Sequence, residues 1–452
     1  MENHYIKYGD RARRAINQLL DIKKQKKSHV VLKNKSDRHI YRNTFKKNQY
    51  LNIRHFTQVI HVNLTEMWVD VEGMISYHDL VNFLLPLNVM PKIVPELRSI
   101  TVGGAISGVG IEATSFKYGL VHETIVEMDV LTGNAELVTC KKNGINKELF
   151  HAIPNSYGVF GYILRARVEI IPTKPYIKIL HEKFSNPELA FKKMKEKSED
   201  HENNFLEGVV FSPSDFRILT GKYVDFLPKS YEKNDFRIEN VFYHSVQHHF
   251  NDTEYLKLKD FLWRWDADAY WMTDNTILQK KWLRKLVGKW ILRSDRLHKI
   301  SRSTIYSFIE NRFDSNAKNR KSMIQDIVIP EEKWLDYFNW YGNNLKKFPL
   351  WLCPARMNNF PLFKADQNKL YCDFGTFNLD FSDYSTYRNA LKDLEKKLLE
   401  LGGTKCFYSD NALSKENFYN IVNEKEYVKL KEKYDPMRVF PDLFEKCVAI
   451  CD

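Results

Sequence analysis

Residues 101–120 of the 452-residue chain read TVGGAISGVGIEATSFKYGL. Five glycines lie within the seventeen positions from Gly103 to Gly119, and glycine loses more conformational entropy on ordering than any other residue. Such a density is useful where backbone amides approach a planar or phosphate-bearing ligand closely. A turn-rich loop explains the density equally well, so the stretch is a candidate ligand-binding segment whose meaning depends on its neighbours.

The same stretch contains a pattern typical of another fold. Gly108, Gly110 and Ala113 satisfy G-x-G-x-x-A, the fingerprint of Rossmann domains, which requires a strand directly before it and an uninterrupted helix after it. Gly103 and Gly104 precede the pattern here, and no helical periodicity follows it. We therefore predict no Rossmann site.

The segments around the glycines alternate between strand and helix patterns. Ser76 begins a predicted helix and forms a capping arrangement with Asp79. Four apolar residues of this helix share one face: Leu80, Phe83, Leu84 and Leu87. An extended segment follows the helix and runs into the glycines. Further elements are predicted as a helix at 5–27, strands at 29–32, 59–64, 68–72 and 162–171, a hairpin over 121–140, and helices at 414–432 and 441–450.

Composition indicates a globular protein of two domains. The chain exceeds the length at which single cores stop growing, about 250 to 300 residues, and is 43% hydrophobic with 28% charged residues. It has no apolar run of about 18 residues and no apolar segment after its charged start, so we expect neither a membrane span nor a secretory signal. The six cysteines form no CxxC pair and suit a reducing, cytoplasmic compartment. They indicate no metal site.

Blocks of sequence in a fixed order resemble one protein family. They are PKIVPELRSITVGGAISGVGIE, SFKYGL, ELFHAIPNSYGVFGYILRARVEIIP, DFLWRWDADAYWMTDN (260–275), PLWLCP (349–354), LYCDFG (370–375), CFYSDNALSKENF (406–418) and KYDPMRVFPDLFEK (433–446). The chain resembles the Δ24-sterol reductase branch of the vanillyl-alcohol-oxidase superfamily, whose flavin domain is of the PCMH type. The resemblance implies an α+β fold: a two-part FAD-binding domain (1–174), an inserted α+β cap or substrate domain (175–404), and a carboxyl-terminal segment (405–452) that completes the flavin site.

The resemblance also implies which residues contact FAD. Residues 101–106, 108 and 110 would lie along the flavin and its pyrophosphate, Ser115 and the turn at 117–119 would line the same cleft, and 158–163 would hold the adenine side. The implied cofactor-binding residues are Ser36, Thr101, Gly103, Gly104, Ala105, Ile106, Gly108, Gly110, Ser115, Tyr118, Gly158, Gly161 and Ile163.

The loop after the first strand departs from the superfamily pattern. It is often glycine-rich, but residues 33–39 read KNKSDRH, so pyrophosphate binding would depend on Ser36 with help from Lys35 or Arg38. His39 lacks the Gly-Gly-His context of covalent attachment, and the resembled branch holds FAD without a covalent bond. We expect non-covalent FAD.

A second departure lies at Ser409. Related ribose oxidases have a lysine there beside the flavin, where a cation stabilises the anionic reduced ring. This chain would need another cation, such as Lys405 or Lys433.

The resemblance implies reduction of a carbon-carbon double bond in a sterol or isoprenoid lipid, with NADPH as the electron donor. Hydride transfer at flavin N5 leaves the protein to supply orientation and a proton. We predict Tyr408 and Asp410 as the catalytic residues, in a proton relay or in substrate contacts, and a structural role explains them equally well. Asp266 and Asp268 would line the substrate cleft or belong to the core. The alternative is an FAD-dependent dehydrogenase or oxidase of a hydroxylated sugar or polyol.

A net charge of +12 leaves several partners open. The basic residues are spread along the chain and no nucleic-acid motif is present, so we expect no nucleic-acid partner. Residues 280–299, KKWLRKLVGKWILRSDRLHK, combine cations with aromatic and aliphatic side chains, which is typical of a helix on an anionic membrane surface. A solvated helix explains the segment equally well. The oligomeric state stays open.

Overall fold

The structure of the chain is a computed structural model that describes residues 2–25, 30–33, 48–228, 242–249, 252–266, 280–294, 296–297 and 321–448. Its α-helices are α1 Glu2–Lys24, α2 Tyr77–Leu84, α3 Val102–Gly108, α4 Ser115–Tyr118, α5 Lys147–Ala152, α6 Pro187–Glu199, α7 Phe242–His248, α8 Leu258–Leu262, α9 Lys281–Ile291, α10 Trp334–Asn344, α11 Tyr384–Glu400, α12 Lys415–Ile421, α13 Glu424–Tyr434 and α14 Leu443–Cys447. Its strands are β1 Val30–Lys33, β2 Asn48–Leu51, β3 Val59–Asn63, β4 Trp68–Glu72, β5 Val89–Pro91, β6 Ile125–Thr132, β7 Leu137–Lys141, β8 Gly161–Pro172, β9 Tyr176–Phe184, β10 Phe205–Ser212, β11 Asp215–Val224, β12 Thr253–Lys257, β13 Lys321–Pro330, β14 Leu350–Arg356, β15 Leu370–Phe381 and β16 Thr404–Lys405.

The first large sheet surrounds the glycine-rich stretch. Its strands follow the order β3-β4-β8-β6-β7, with β5 paired to β8, and every pair is antiparallel. These strands confirm the predicted pair at 59–64 and 68–72, the hairpin over 121–140 and the strand at 162–171. Strands β1 and β2 form a separate parallel pair.

The second large sheet contains eight strands in the order β12-β9-β11-β10-β14-β15-β13-β16. Helices α6, α10 and α11 pack against it. The Phe191 ring of α6 lies 5.8 Å from Trp334 and 5.9 Å from Phe338 on α10, and 6.1 Å from Phe374 on β15, measured between ring centroids. Two antiparallel sheets with segregated helices confirm the predicted α+β class.

Helix α1 is held on the first sheet by a buried charge network. The Arg165 guanidinium donates to Asp129 at 2.7 and 2.9 Å and to Asp70 at 3.0 Å. From α1, the Tyr8 hydroxyl donates to Asp129 at 2.8 Å and Arg11 Nε donates to Glu72 at 2.7 Å. Because buried charges need partners, this network fixes the position of α1.

The glycine-rich stretch is partly helical, so the prediction of an extended segment through residue 104 was wrong. Thr101 caps α3 by accepting a hydrogen bond from the Gly104 amide at 3.2 Å, and a cap offsets part of the poor helix propensity of glycine. The helix ends at Gly108, followed by Val109 with a φ of 60°. A helix therefore precedes the G-x-G-x-x-A pattern, and the prediction of no Rossmann site is confirmed.

Two other predicted helices need correction. The one predicted at 414–432 is two helices, since Asn423 caps α13 by accepting from the Glu426 amide at 3.2 Å. Leu80 and Leu84 of α2 are buried as predicted, but Phe83 is 50% and Leu87 40% exposed. The α-helix ends at Leu84 and a 3-10 turn follows, which rotates Leu87 off the buried face. Phe83 lies within the α-helix, outside the face that Tyr77, Leu80, Val81 and Leu84 bury.

The two large sheets meet through the glycine-rich segment. Helix α4 packs against β14, and the Leu206 amide on β10 donates to the Ala113 carbonyl at 2.8 Å. Within the described ranges, no helix is long and apolar enough to cross a membrane. The five cysteines in those ranges are buried and unbridged, and no cluster of metal-ligating side chains occurs there.

Candidate active site

Helix α3 has one apolar face and one face almost without side chains. Val102, Ala105, Ile106 and Val109 are buried, whereas the residues of the half-buried face are Gly103, Gly104, Ser107, Gly108 and Gly110. No side chain on that face is larger than that of serine. A flat ligand could therefore lie against the backbone at Gly104 and Gly108. Gly103 is covered by the Gly73 backbone, and Gly110, beyond the helix end, by Val121. Of the predicted contacts, Ala105 and Ile106 point their side chains into the core, which leaves them only backbone atoms to offer.

The first amides of α3 already have partners inside the protein. The Val102 amide donates to the Ile75 carbonyl at 3.0 Å and the Gly103 amide to the Gly73 carbonyl at 2.7 Å, while the Gly104 amide is bound by the Thr101 hydroxyl. The predicted contact of these amides with a pyrophosphate stays a prediction. The structure favours an approach to the half-buried face over end-on binding at the helix N-terminus.

Gly73 is a site residue that sequence reasoning missed. A Cβ atom on Gly73 would lie 2.1 Å from the Ile163 carbonyl oxygen, and one on Gly103 would lie 2.8 Å from the Gly73 oxygen. Three backbones from β8, the end of β4 and α3 therefore stack without room for a methyl group. Ile163 and Gly103, both predicted as cofactor contacts, therefore both lie against Gly73. The isolated glycine after the strand pattern WVDVE was the available sequence signal.

The loop before β8 closes over the end of α3. The Tyr157 amide donates to the Ser107 carbonyl at 3.3 Å, and Gly158, a predicted contact, has a φ of 80° that other residues rarely adopt. The carboxyl-terminal helices α13 and α14 each contribute a lysine that hydrogen-bonds to this loop. The Lys446 ammonium donates to the Tyr157 carbonyl and the Lys431 ammonium to the Val159 carbonyl at 2.7 Å.

The remaining predicted cofactor residues lie in different surroundings. Ser115 is buried and its hydroxyl accepts from the Glu112 amide at 3.0 Å, a structural role. Tyr118 is half-buried on α4, and a Cβ on Gly161 would lie 2.4 Å from the Leu131 carbonyl oxygen, so this glycine serves strand pairing. Ser36, Lys35, Arg38 and His39 lie outside the described residues, as does Asp268.

A buried carboxyl cluster lies where α3 and α4 meet the second sheet. The Glu96 amide donates to Glu112 Oε1 at 2.8 Å. Arg264 donates to Glu96 Oε1 at 3.0 Å and to Glu207 Oε1 at 2.8 Å, and Glu207 Oε2 accepts from the indoles of Trp265 and Trp351, each at 3.0 Å. Three carboxyls thus surround one guanidinium.

Burial and the excess of carboxyls over cations raise the pKa values of two glutamates in this cluster. Burial, followed by the neighbouring Glu112 charge, raises the pKa of Glu96 well above its ordinary value, and Arg264 opposes this. Burial also raises the pKa of Glu112, against the Glu96 amide and Arg264. Since charged groups are strongly disfavoured in a low-dielectric interior, these two carboxyls are protonated more readily than ordinary glutamates.

A second group of buried acids lies on the adjoining strands. The Tyr408 hydroxyl donates to Asp326 on β13 at 2.6 Å. Burial raises the pKa of Asp326 to about 6, opposed by Tyr408 and by Lys405. Burial, then Asp326 and then Glu112, raises the pKa of Asp373 on β15 well above its ordinary value, so the two groups of acids influence each other electrostatically.

Asp410, the other predicted catalytic residue, follows Tyr408 by two positions but contacts different residues. Its carboxyl accepts from the Tyr387 hydroxyl at 2.5 Å, and its backbone carbonyl accepts from Gln325 at 2.8 Å. Burial raises the pKa of Asp410. Tyr408 is therefore hydrogen-bonded to one of the buried acids, whereas the Asp410 carboxyl is hydrogen-bonded to Tyr387 on α11.

The other candidate charges are held by structural partners. Lys405 is fully buried against Glu395 at 2.9 Å, and Lys433 pairs with Glu148 at 2.6 Å near the surface. Asp266 accepts from the Arg98 side chain at 2.6 Å and from Ser294 at 2.7 Å. Asp266 therefore belongs to the core, the second of its two predicted positions.

Comparison with known proteins identifies the class. Residues 16–141 match the model of an FAD binding domain. The chain is an FAD-dependent oxidoreductase with a PCMH-type flavin domain, which confirms the prediction made from its sequence.

Its similarity to particular enzymes extends well beyond that domain. The chain is 25% identical to the Δ24-sterol reductase of Homo sapiens over 399 residues, 86% of this chain and 75% of that protein. Identity to the Δ24-sterol reductase of Arabidopsis thaliana is 24% over 437 residues, 86% and 75% of the two chains. Cytokinin dehydrogenase 3 of A. thaliana is 36% identical over 129 residues, 28% of this chain and 24% of that protein.

The residues present fit an FAD. The half-buried glycine face of α3 lies within the matched region, and at Gly108 an added Cβ would meet only the Tyr157 ring, at 3.7 Å. That space is compatible with folding but lies on the face that would contact the cofactor.

We expect Gly108→Ala to weaken FAD binding at least about tenfold, or about 1.4 kcal/mol, because the methyl group holds the cofactor away from the backbone. The free energy of unfolding of the apoprotein should change by less than about 0.5 kcal/mol. Fluorescence titration with FAD measures the first and urea unfolding the second. Gly342→Ala is the matched control, since its Cβ would meet nothing within 4 Å; equal FAD affinities for the two variants would contradict the assignment.

Proposed function

We propose that the chain reduces a carbon-carbon double bond of a sterol or other isoprenoid lipid, with NADPH as the electron donor. When bound, FAD supplies hydride at N5, and the protein must then deliver a proton to the second carbon of the double bond. The observation that carries the proposal is the set of buried carboxyls whose pKa values are raised. A protonated acid suits reduction, whereas oxidation of an alcohol requires a base.

The similarity to Δ24-sterol reductases over 86% of the chain supports the lipid substrate. Tyr408 is the predicted catalytic residue that the geometry favours, because its hydroxyl joins Asp326, a residue with a pKa of about 6. We retain Asp410 as a candidate of lower rank, since its carboxyl contacts Tyr387.

Non-covalent FAD, held by the face of α3 and by Gly158, is part of the proposal, and Gly161 contributes to it only through strand pairing. The division of the chain into domains at 174 and 404 is also part of the proposal. Contacts of Lys446 and Lys431 with the loop at 157–159 support the view that the segment 405–452 completes the flavin site.

Anaerobic half-reactions test the function. Acid precipitation should release yellow FAD into the supernatant, and NADPH should bleach the native flavin. A sterol with a Δ24 double bond, dispersed in detergent, should restore the oxidised spectrum and yield the saturated side chain. Colour retained in the pellet would contradict non-covalent binding. A flavin that polyols bleach and Δ24-sterols leave reduced would replace the proposal with the dehydrogenase or oxidase alternative.

We further propose that α9 rests on an anionic membrane from which the lipid is taken up. Trp282 is 64% and Leu286 78% exposed, four residues apart on this helix, with Lys280 and Lys285 exposed beside them. Such a pairing of apolar and cationic side chains favours anionic lipid surfaces.

The double variant Trp282→Ser/Leu286→Ser should bind vesicles of phosphatidylcholine and phosphatidylserine at least about tenfold more weakly, because both apolar side chains lose their burial. Sedimentation with vesicles measures the change, and binding of the unaltered protein should fall with added salt. Leu189→Ser is the control, since Leu189 is an apolar side chain with a similar exposed fraction, 58%, on another helix, α6, where lysines alternate with glutamates. Unaltered sedimentation of the double variant would refute this surface.

A further inference from the structure

We propose that Glu96 and Glu112 share one proton at the junction of the flavin domain with the second sheet, and that this pair is the acid that protonates the substrate carbon. The inference rests on the proposed reductase function. It assigns the donor to residues that sequence reasoning did not select, in place of Tyr408 or Asp410.

The first argument is position. Glu96 precedes the cap residue Thr101 by five positions, and Glu112 follows Gly110 by two, so the two glutamates flank α3 in the chain. The Glu96 amide donates to the Glu112 carboxyl at 2.8 Å, which brings them together. A ligand on the glycine face of α3 would therefore lie against a segment that has one member of the pair on each side of it in the chain.

The second argument is charge. Both carboxyl oxygens of Glu207 accept hydrogen bonds. One accepts from Arg264, and the other accepts from the indoles of Trp265 and Trp351. Arg264 reaches Glu96 through Oε1 alone, at 3.0 Å, which leaves Oε2 to carry a proton. One guanidinium cannot neutralise three carboxyls in a buried site, and the uncompensated charge is relieved most easily by protonation.

The third argument locates the proton within the pair. After burial, the Glu112 carboxyl is the main cause that raises the pKa of Glu96, whereas the hydrogen bonds from Glu96 lower that of Glu112. Glu96 Oε2 is buried without a hydrogen-bond partner among the described residues, so Glu96 is the member of the pair with an oxygen available to hold the proton.

The groups that face the pair from the packed elements are mostly acidic as well. They are Arg264, Glu207, Asp373, Cys353 and Tyr77. Of these only Arg264 is a cation, so the surroundings also favour the protonated form.

The step balances without a further reactant. With a hydride delivered to one carbon of the double bond by bound, reduced FAD, the π pair would form the new C–H bond at the other carbon, and Glu96 would supply the proton for that bond. The pair is then doubly ionised and regains a proton from solvent. Flavin reduction by NADPH does not use this proton, so the two half-reactions should respond differently to substitution.

The test uses the holoenzyme with Glu96→Gln and Glu112→Gln, since glutamine has the shape of a protonated glutamate. Each variant, reduced by NADPH under anaerobic conditions, should be reoxidised by a Δ24-sterol at least about 100-fold more slowly, while reoxidation by an artificial quinone stays within about twofold of the unaltered enzyme. The rate with the sterol should fall as pH rises in the unaltered enzyme and lose this dependence in the variants. Glu254→Gln is the control, because this buried glutamate pairs with His181 on the second sheet, outside the cluster.

Infrared difference spectra of the oxidised holoenzyme between low and high pH provide a readout that does not depend on turnover. The unaltered enzyme should lose a carboxylic acid C=O band as pH rises, and both variants should lack that band. Variants that reduce the sterol at the unaltered rate would overturn the role of the pair and leave the proposed function standing. An unaltered enzyme that reduces no sterol would overturn both, and a missing carboxylic acid band would overturn the shared proton itself.

Discussion

Replacing Arg264 with methionine is expected to lower the free energy of unfolding by about 3 to 5 kcal/mol, the range for removing one partner of a buried ion pair. Arg264 is buried and is the cation shared by Glu96 and Glu207. Its loss leaves three carboxyls in an interior where an isolated charge is strongly unfavourable. Urea unfolding at neutral pH measures the change.

The same substitution should make stability strongly pH-dependent. Glu96 and Glu112 have folded-state pKa values raised above their unfolded values, so their contribution to stability is full at low pH and is lost as pH rises through the folded pKa. Without Arg264 those pKa values rise further. The variant should therefore go on losing stability to a higher pH than the unaltered protein does, and identical dependences of stability on pH would contradict the charge imbalance.

Arg167→Met is the matched control. Arg167 also binds a buried carboxylate, donating to Asp70 at 2.8 and 3.0 Å. Asp70 keeps Arg165 and Tyr5 as partners when Arg167 is removed, so we expect a loss of only about 1 kcal/mol.

Gly73→Ala should prevent the chain from folding normally, or destabilise it by more than about 4 kcal/mol. The new Cβ would lie 2.1 Å from the Ile163 carbonyl oxygen, and backbone on both sides leaves no flexible side chain to move aside. The Gly73 carbonyl also accepts from the Gly103 amide, so α3 should shift and FAD binding should be lost with it.

Soluble yield, unfolding in urea and FAD content measure the effect of Gly73→Ala. Gly9→Ala on the exposed side of α1 is the comparison, because nothing lies within 4 Å of its Cβ, and it should be neutral or stabilising by up to about 1 kcal/mol. A Gly73→Ala protein with normal stability and normal FAD content would show that the backbone stack is not required.

The parts of this fold that sequence predicted well are local in the chain. Ser76 and Asp79 are three residues apart, and their predicted cap is present, with the Asp79 amide donating to the Ser76 hydroxyl at 3.1 Å. The hairpin about Thr132 likewise depends on neighbouring residues. Helix α3 was missed because glycine has poor helix propensity, while its stability comes from the Thr101 cap and from buried Val102 and Ile106.

The candidate active site was predicted less completely, because its hydrogen bonds join residues that are far apart in the sequence. Glu96 and Arg264 are 168 positions apart, and nothing in either local sequence shows that both are buried. Tyr408 was selected within a conspicuous block, but its partner Asp326 lies 82 positions earlier in an ordinary strand pattern. Glycine density identified α3, whereas the close backbone approach of Gly73 to Ile163 becomes visible only when the strands are paired.

The hydrogen bonds of the loop at 157–159 have a consequence for how the enzyme is made. Their donors, Lys431 and Lys446, are 272 and 289 residues downstream of the carbonyls they hold, so a ribosome translates the whole second sheet before it reaches them. The first sheet can assemble early during synthesis, but its loop over α3 receives these two ammonium groups last. We therefore expect nascent chains arrested before residue 431 to acquire FAD poorly, which would make cofactor capture a late, largely post-translational event.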